Sequence, residues 1–201
     1  MSNNLRGWPC SILRCLMPVM ICMLRGVNVG GHNKISMEAL RGLCASLKLR
    51  DSRTYVQSGN VVFRTDLRDQ SRLCKSLESA IEKKLGFRPA VLLRTTAGLR
   101  TVVANNPFAS RKDIEPAKLL VSFLADAPSA QARKDLLGIQ ADPEEVRIAG
   151  RELYIYFPDG MGRSNFPWAR LDKVLKTHNT GRNWNTVMKL LEIAEEMERS
   201  V

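Results

Sequence analysis

The feature that most constrains the fold is the order in which two hydrophobic periods alternate along the chain. Val19–Leu24 is a continuous apolar run of strand length. Ser36 is then a good N-cap, with Ile35 and Leu40 at the two positions of a hydrophobic staple. Met37, Leu40, Cys44 and Leu47 continue at helical spacing, which predicts an amphipathic helix to about Leu47. Arg53–Gln57 and Asn60–Arg64 are β-rich and meet at Ser58-Gly59, a hairpin signal. Leu73, Leu77, Ala80, Ile81 and Leu85 mark a second helix ending near Gly86, and Ala90–Arg94 reads as a fourth strand. The order β-α-β-β-α-β is the split β-α-β pattern of a ferredoxin-like sandwich, with two helices on one face of an antiparallel sheet. A third helix, about Ala97–Asn105, stops at Asn106-Pro107-Phe108.

The second half repeats this order without visible sequence identity. Leu119–Leu124 reads as a strand, Ser129–Leu137 as a helix, Val146–Ala149 and Glu152–Phe157 as a hairpin turning at Gly150, and Pro167–Lys176 as a helix. No closing strand is visible. Asn183–Glu198 follows as a terminal amphipathic helix with Trp184, Val187, Met188 and Leu191 on its apolar face. The expected class is α+β: two tandem ferredoxin-like subdomains with antiparallel sheets, over 19–105 and 106–201, plus a C-terminal helix. Trp8–Leu24 is apolar, but Pro9, Arg14 and Pro18 interrupt it and no signal-peptide cleavage site follows. Residues 1–18 are therefore expected to be a poorly ordered upstream extension, with Met20 or Met17 as the natural start. No membrane segment is predicted, and the expected location is cytoplasmic.

Charge is unevenly placed. The chain carries a net +11; residues 20–100 hold 15 Lys/Arg against six Asp/Glu, whereas residues 101–201 hold 14 of each. Such a one-sided field attracts anions, although a solvated basic surface has the same composition. The five cysteines have no even framework spacing and no CxxC pair, and His32 and His178 are isolated. That pattern fits reduced thiols, Cys44 and Cys74 among core residues, and no metal site or cofactor.

The basic half contains a glycine-rich, acid-free loop, Arg25-Gly26-Val27-Asn28-Val29-Gly30-Gly31-His32-Asn33-Lys34, between a strand and a helix start. Glycine lets backbone amides converge, and the following helix adds unpaired N–H groups, so the loop is a candidate phosphate site. Its spacing matches neither the P-loop nor the dinucleotide fingerprint. A tight strand-to-helix connection needs the same glycines. Gln57, Ser58 and Asn60 form a second polar cluster, open to ligand binding or to plain turn chemistry. Gly162-Arg163-Ser164 and Thr180-Gly181-Arg182-Asn183 place an arginine, a polar group and a glycine before two later helices. The predicted ligand set is thus Arg25, Gly26, Asn28, Gly30, Gly31, Asn33, Lys34, Gln57, Ser58, Asn60, Arg163, Ser164, Arg182 and Asn183. The loop is expected to form one wall, with Arg163 and Arg182 approaching from the second half.

Five ordered runs carry a resemblance: Leu24–Lys34, Thr54–Phe63, Asn106-Pro107-Phe108, Tyr156–Ser164 and Thr180–Thr186. They resemble the uncharacterised bacterial family called domain of unknown function 1697, over about Met20 to the C-terminus. The resemblance implies two ferredoxin-like subdomains and a start just before the first strand, and it supplies no activity, ligand or catalytic residue. His32 and Gly181 depart from the lysine and threonine it leads one to expect.

No nucleophile–base–orienter set assembles from local spacing, so catalysis is neither assigned nor excluded. The groups present hold phosphate better than they move protons. A phosphorylated small molecule bound in a basic cleft between the subdomains is the expected partner. If there is catalysis, the expectation is a transferase or hydrolase on such a compound. A nucleic-acid-binding module and a protein-interaction module are the alternatives; the first lacks the exposed sheet aromatics and RNP pattern of RNA-binding sandwiches.

Overall fold

The computed structural model describes residues 17–139 and 141–200. The expectation for residues 1–18 lies outside the described residues except at Met17 and Pro18. Met17 O and Pro18 O accept hydrogen bonds from Arg64 Nη1 and Thr65 N.

The central strand β1 (Val19–Leu24) is buried along its whole length, because both of its faces are covered. Met20, Cys22 and Leu24 face helices α1 (Met37–Ser46) and α2 (Gln70–Leu85), and Val19, Ile21 and Met23 face the interior. β1 pairs antiparallel with β3 (Asn60–Arg64) and β4 (Val91–Thr95), and β2 (Arg50–Tyr55) completes the order β2-β3-β1-β4. Ser36 and Gly86 end helices as expected: Ser36 Oγ accepts from Ala39 N at 3.0 Å, and Gly86 leaves α2 in the left-handed conformation. Asp69 caps the start of α2. Helix α3 (Thr96–Ala104) follows β4.

The second sheet has the same plan. Its order is β6-β7-β5-β8, from β5 (Leu119–Leu124), β6 (Glu145–Ala149), β7 (Glu152–Tyr156) and β8 (Asn179–Asn183), all antiparallel. Helices α4 (Ala130–Leu137) and α5 (Trp168–Leu175) cover its outer face. The closing strand, missing from the sequence reading, is therefore present. Asn179-Thr180-Gly181-Arg182-Asn183 has no apolar residue, so no local period marks it; pairing with β5 makes it a strand.

The last helix α6 (Trp184–Arg199) lies between the sheets. Val187, Leu190, Leu191, Ile193, Ala194 and Met197 join Ile21, Val62, Val121, Phe123 and Tyr154 in one core, with Leu99 and Val102 of α3 beside them. The layers run α1/α2, first sheet, α3/α6, second sheet, α4/α5. Three buried arginines stitch the layers. Arg94 donates to Glu152 Oε1 through Nε and Nη2, at 3.1 and 2.9 Å, and to Leu124 O at 2.8 Å. Arg64 donates to Met197 O and to Ser200 O, placing a cation where the C-terminal end of α6 is negative. The third is Arg182.

Candidate functional site

The glycine-rich loop is a closed miniature hairpin. Val29 and His32 form an isolated antiparallel bridge around Gly30-Gly31, whose φ values are +58° and +81°. Asn28 N donates to Asn33 O at 3.2 Å, and His32 N to Val29 O at 3.1 Å. Asn28 is the clasp: its Nδ2 donates to Ile35 O and to Gln57 O, and its Oδ1 accepts from Ile35 N. Asn33 Nδ2 donates to Gly26 O. The amides of Asn28, His32 and Ile35, with the side chains of Asn28 and Asn33, are thus used inside the loop. The next helix is capped by Ser36. Lys34 and the tip are exposed.

Of the second polar cluster, Gln57 and Ser58 sit in a four-residue turn, 56–59, after strand β2 ends at Tyr55, and Asn60 opens β3. Gly59 (φ +72°) packs against Leu24 and Val27 so closely that a Cβ there would meet Val27 Cγ2 at 2.4 Å. Asn60 Nδ2 donates to Ser58 Oγ at 2.7 Å, which leaves the Ser58 hydroxyl proton to donate elsewhere.

Arg182 reaches this turn from β8. Nε donates to Asn60 Oδ1 at 2.5 Å, Nη1 to Thr180 Oγ1 and Gly181 O at 2.8 Å each, and Nη2 to Leu24 O at 2.8 Å and Ser58 O at 3.0 Å. All five donors are satisfied, and every acceptor is neutral. The side chain is 7% exposed, and burial pushes its pKa down to about 10. It remains a cation at neutral pH, held without a carboxylate between the two sheets.

A cleft of about 280 Å³ opens beside it, lined from the first half by Ser58 and from the second by Lys118, Leu120, Phe157, Met161, Arg182, Asn183 and Thr186, among others. Lys118 closes the 3-10 turn Pro116–Lys118 and pairs with exposed Glu115 at 2.8 Å. Asn183 caps α6 through Oδ1 and donates Nδ2 to Ala117 O. Of the predicted ligand residues, Ser58, Arg182 and Asn183 line this cleft, and Asn60 holds Arg182. Arg25 turns elsewhere, pairing with Asp172 at 3.3 Å over a separate surface hollow. Arg163 is exposed on the 3-10 turn Met161–Arg163, and Ser164 Oγ accepts from Phe166 N. Gly26, Asn28, Gly30, Gly31, Asn33, Lys34 and Gln57 belong to the hairpin and its support. Lys118 and Thr186 carry no local sequence signal; they meet because the pairing of β8 with β5 brings the start of β5 beside the start of α6.

The family described as "Protein of unknown function (DUF1697)" matches residues 17–154. The chain belongs to this family. A solved structure, that of the conserved bacterial protein SP0830 from Streptococcus pneumoniae, is similar with a TM-score of 0.69 and 21% identity, covering 89% of this chain and 99% of that one. At that identity the likeness speaks to fold alone. No curated protein sequence matches the chain. Among the described residues no helix is long and apolar enough to cross a membrane. No group of three or more His, Cys, Asp or Glu among them is placed to hold a metal ion.

Proposed function

We propose that the protein binds a small phosphorylated anion in the Ser58–Lys118–Arg182 cleft between two ferredoxin-like subdomains, 19–105 and 106–201. The fold part of this reading is supported by the matching antiparallel orders β2-β3-β1-β4 and β6-β7-β5-β8, each with two helices on its outer face. The observation that carries the ligand class is Arg182, a buried cation with only neutral partners at the wall of an interdomain cleft. In a partly desolvated site its field on an anion is weakly screened. Lys118, released from its exposed partner Glu115, adds a mobile second cation. The hydroxyls of Ser58 and Thr186 supply neutral donors.

The basic excess of the first half argues less for a polyanion than the totals suggest. Arg25, Arg53, Arg64, Arg88, Arg94 and Arg100 all sit in ion pairs.

The test is a thermal-shift titration of the full chain with inorganic phosphate and ribose 5-phosphate. Ligand at a hundredfold excess over Kd adds about 2.7 kcal/mol, or roughly 5–10 °C in Tm for a chain of this size. The rise should shrink in Lys118→Gln and Thr186→Val and persist in Lys34→Gln. No rise, or a rise lost only in Lys34→Gln, refutes the cleft as the site.

A further inference from the structure

We infer that the anion taken by this cleft carries one planar ring, as a nucleoside monophosphate does; this rests on the cleft reading above. The cleft has a chemically mixed lining: Ser58, Lys118 and Arg182 are polar or cationic, whereas Leu120, Phe157 and Met161 are apolar. A bare phosphate or a sugar phosphate satisfies only the polar group. Met161 is 54% exposed, an unbranched apolar side chain standing in solvent at the rim of a charged site. Methionine is suited to cover a flat ring, because its thioether is polarisable and makes favourable contacts with aromatic systems.

The segment carrying Met161 is pre-set rather than loose. Phe157 N donates to Lys118 O at 3.0 Å, Gly160 N to Phe157 O at 2.9 Å, and Ser164 N to Met161 O at 3.3 Å. Both ends are pinned by an aromatic cluster, in which Phe157 stacks on Trp168 at 6.1 Å and meets Phe166 edge-on at 5.8 Å. The methionine is thus held at the cleft by a fixed backbone while its own side chain stays adaptable. Such preorganisation lowers the ordering cost of binding. Size sets the upper limit. About 280 Å³ lies at the lower edge of small-molecule sites, room for one ring system and one phosphate but not for a dinucleotide.

Isothermal titration of the full chain with ribose 5-phosphate and with adenosine 5′-monophosphate tests this. The ring should tighten binding about tenfold or more over the sugar phosphate. Met161→Ala should weaken the nucleotide about two- to tenfold and leave ribose 5-phosphate unchanged. Equal binding of the two probes, or equal losses for both in Met161→Ala, overturns the ring while leaving the anion site standing. If neither probe binds, both readings fall.

Discussion

Gly59 gives the sharpest test of how the two loops near the cleft depend on each other. A methyl at this position meets two penalties. The residue has φ +72°, where an L-side chain costs roughly 1–2 kcal/mol. The new Cβ would also lie 2.4 Å from Val27 Cγ2 and 2.8 Å from Leu24 Cβ. A valine methyl can rotate away, but Leu24 Cβ is fixed to a strand paired on both sides, so relief requires backbone movement. Overpacking of this kind costs roughly 1–3 kcal/mol. Gly59→Ala should therefore lose about 3–4 kcal/mol, which for about 200 residues is roughly 10 °C in Tm. Gly31→Ala is the control. Its φ is +81°, yet nothing lies within 4 Å of the added Cβ, so only the backbone penalty applies, or roughly 3–5 °C. Thermal unfolding followed by circular dichroism separates the two. If the two variants lose the same stability, the close approach of the turn to Leu24 and Val27 is wrong.

Two further outcomes follow from buried ionisable groups. Arg94→Met should cost about 3–5 kcal/mol in urea unfolding because it strands Glu152, whose side chain is 10% exposed, whereas the double change Arg94→Met with Glu152→Gln should recover part of that loss; equal losses for single and double variants would refute a buried pair. Burial pushes the Cys44 thiol up to about 11 and raises that of Cys22 as well. A thiol whose folded pKa is raised adds stability below its ordinary pKa near 9 and loses it as pH climbs toward 11, here about 2–3 kcal/mol for Cys44. Urea midpoints should accordingly fall between pH 9 and 11, and native Cys22 and Cys44 should resist iodoacetamide at pH 8 until the chain is unfolded. Rapid labelling of either residue in the native state, read by peptide mass spectrometry, would contradict their burial.

Much of the architecture was legible because the elements that form it carry their own periods and stops. The runs at 19–24 and 119–124 are apolar at every or nearly every position, as strands covered on both faces must be. Ser36 and Gly86 mark helix ends through groups that bond within a few residues. The candidate site was legible only in part. Arg182, Ser58 and Asn183 stood out as polar groups beside glycines, but a residue's partners across 122 or 158 positions leave no local trace. The glycine-rich loop carried the strongest phosphate-like signal, yet the amides of Asn28, His32 and Ile35 are used within the loop, and the Asn28 side chain reaches on to Gln57 O.

By itself the sequence determined the strands and helices other than Asn179–Asn183, the caps Ser36 and Asn183, and an amphipathic last helix. These depend on interactions spanning a few residues, which period and side-chain type report directly. Met188, expected on the apolar face of that helix, is exposed, and the buried stripe runs through Val187, Leu190, Leu191 and Ala194. Tertiary structure alone decided that Asn179–Asn183 is a strand, because its only reason to extend is the free edge of Leu119–Leu124. It also decided the use of the arginines. Whether a guanidinium lines a ligand site, pairs with Asp172 or fastens two sheets depends on which acceptors the fold brings within hydrogen-bonding reach.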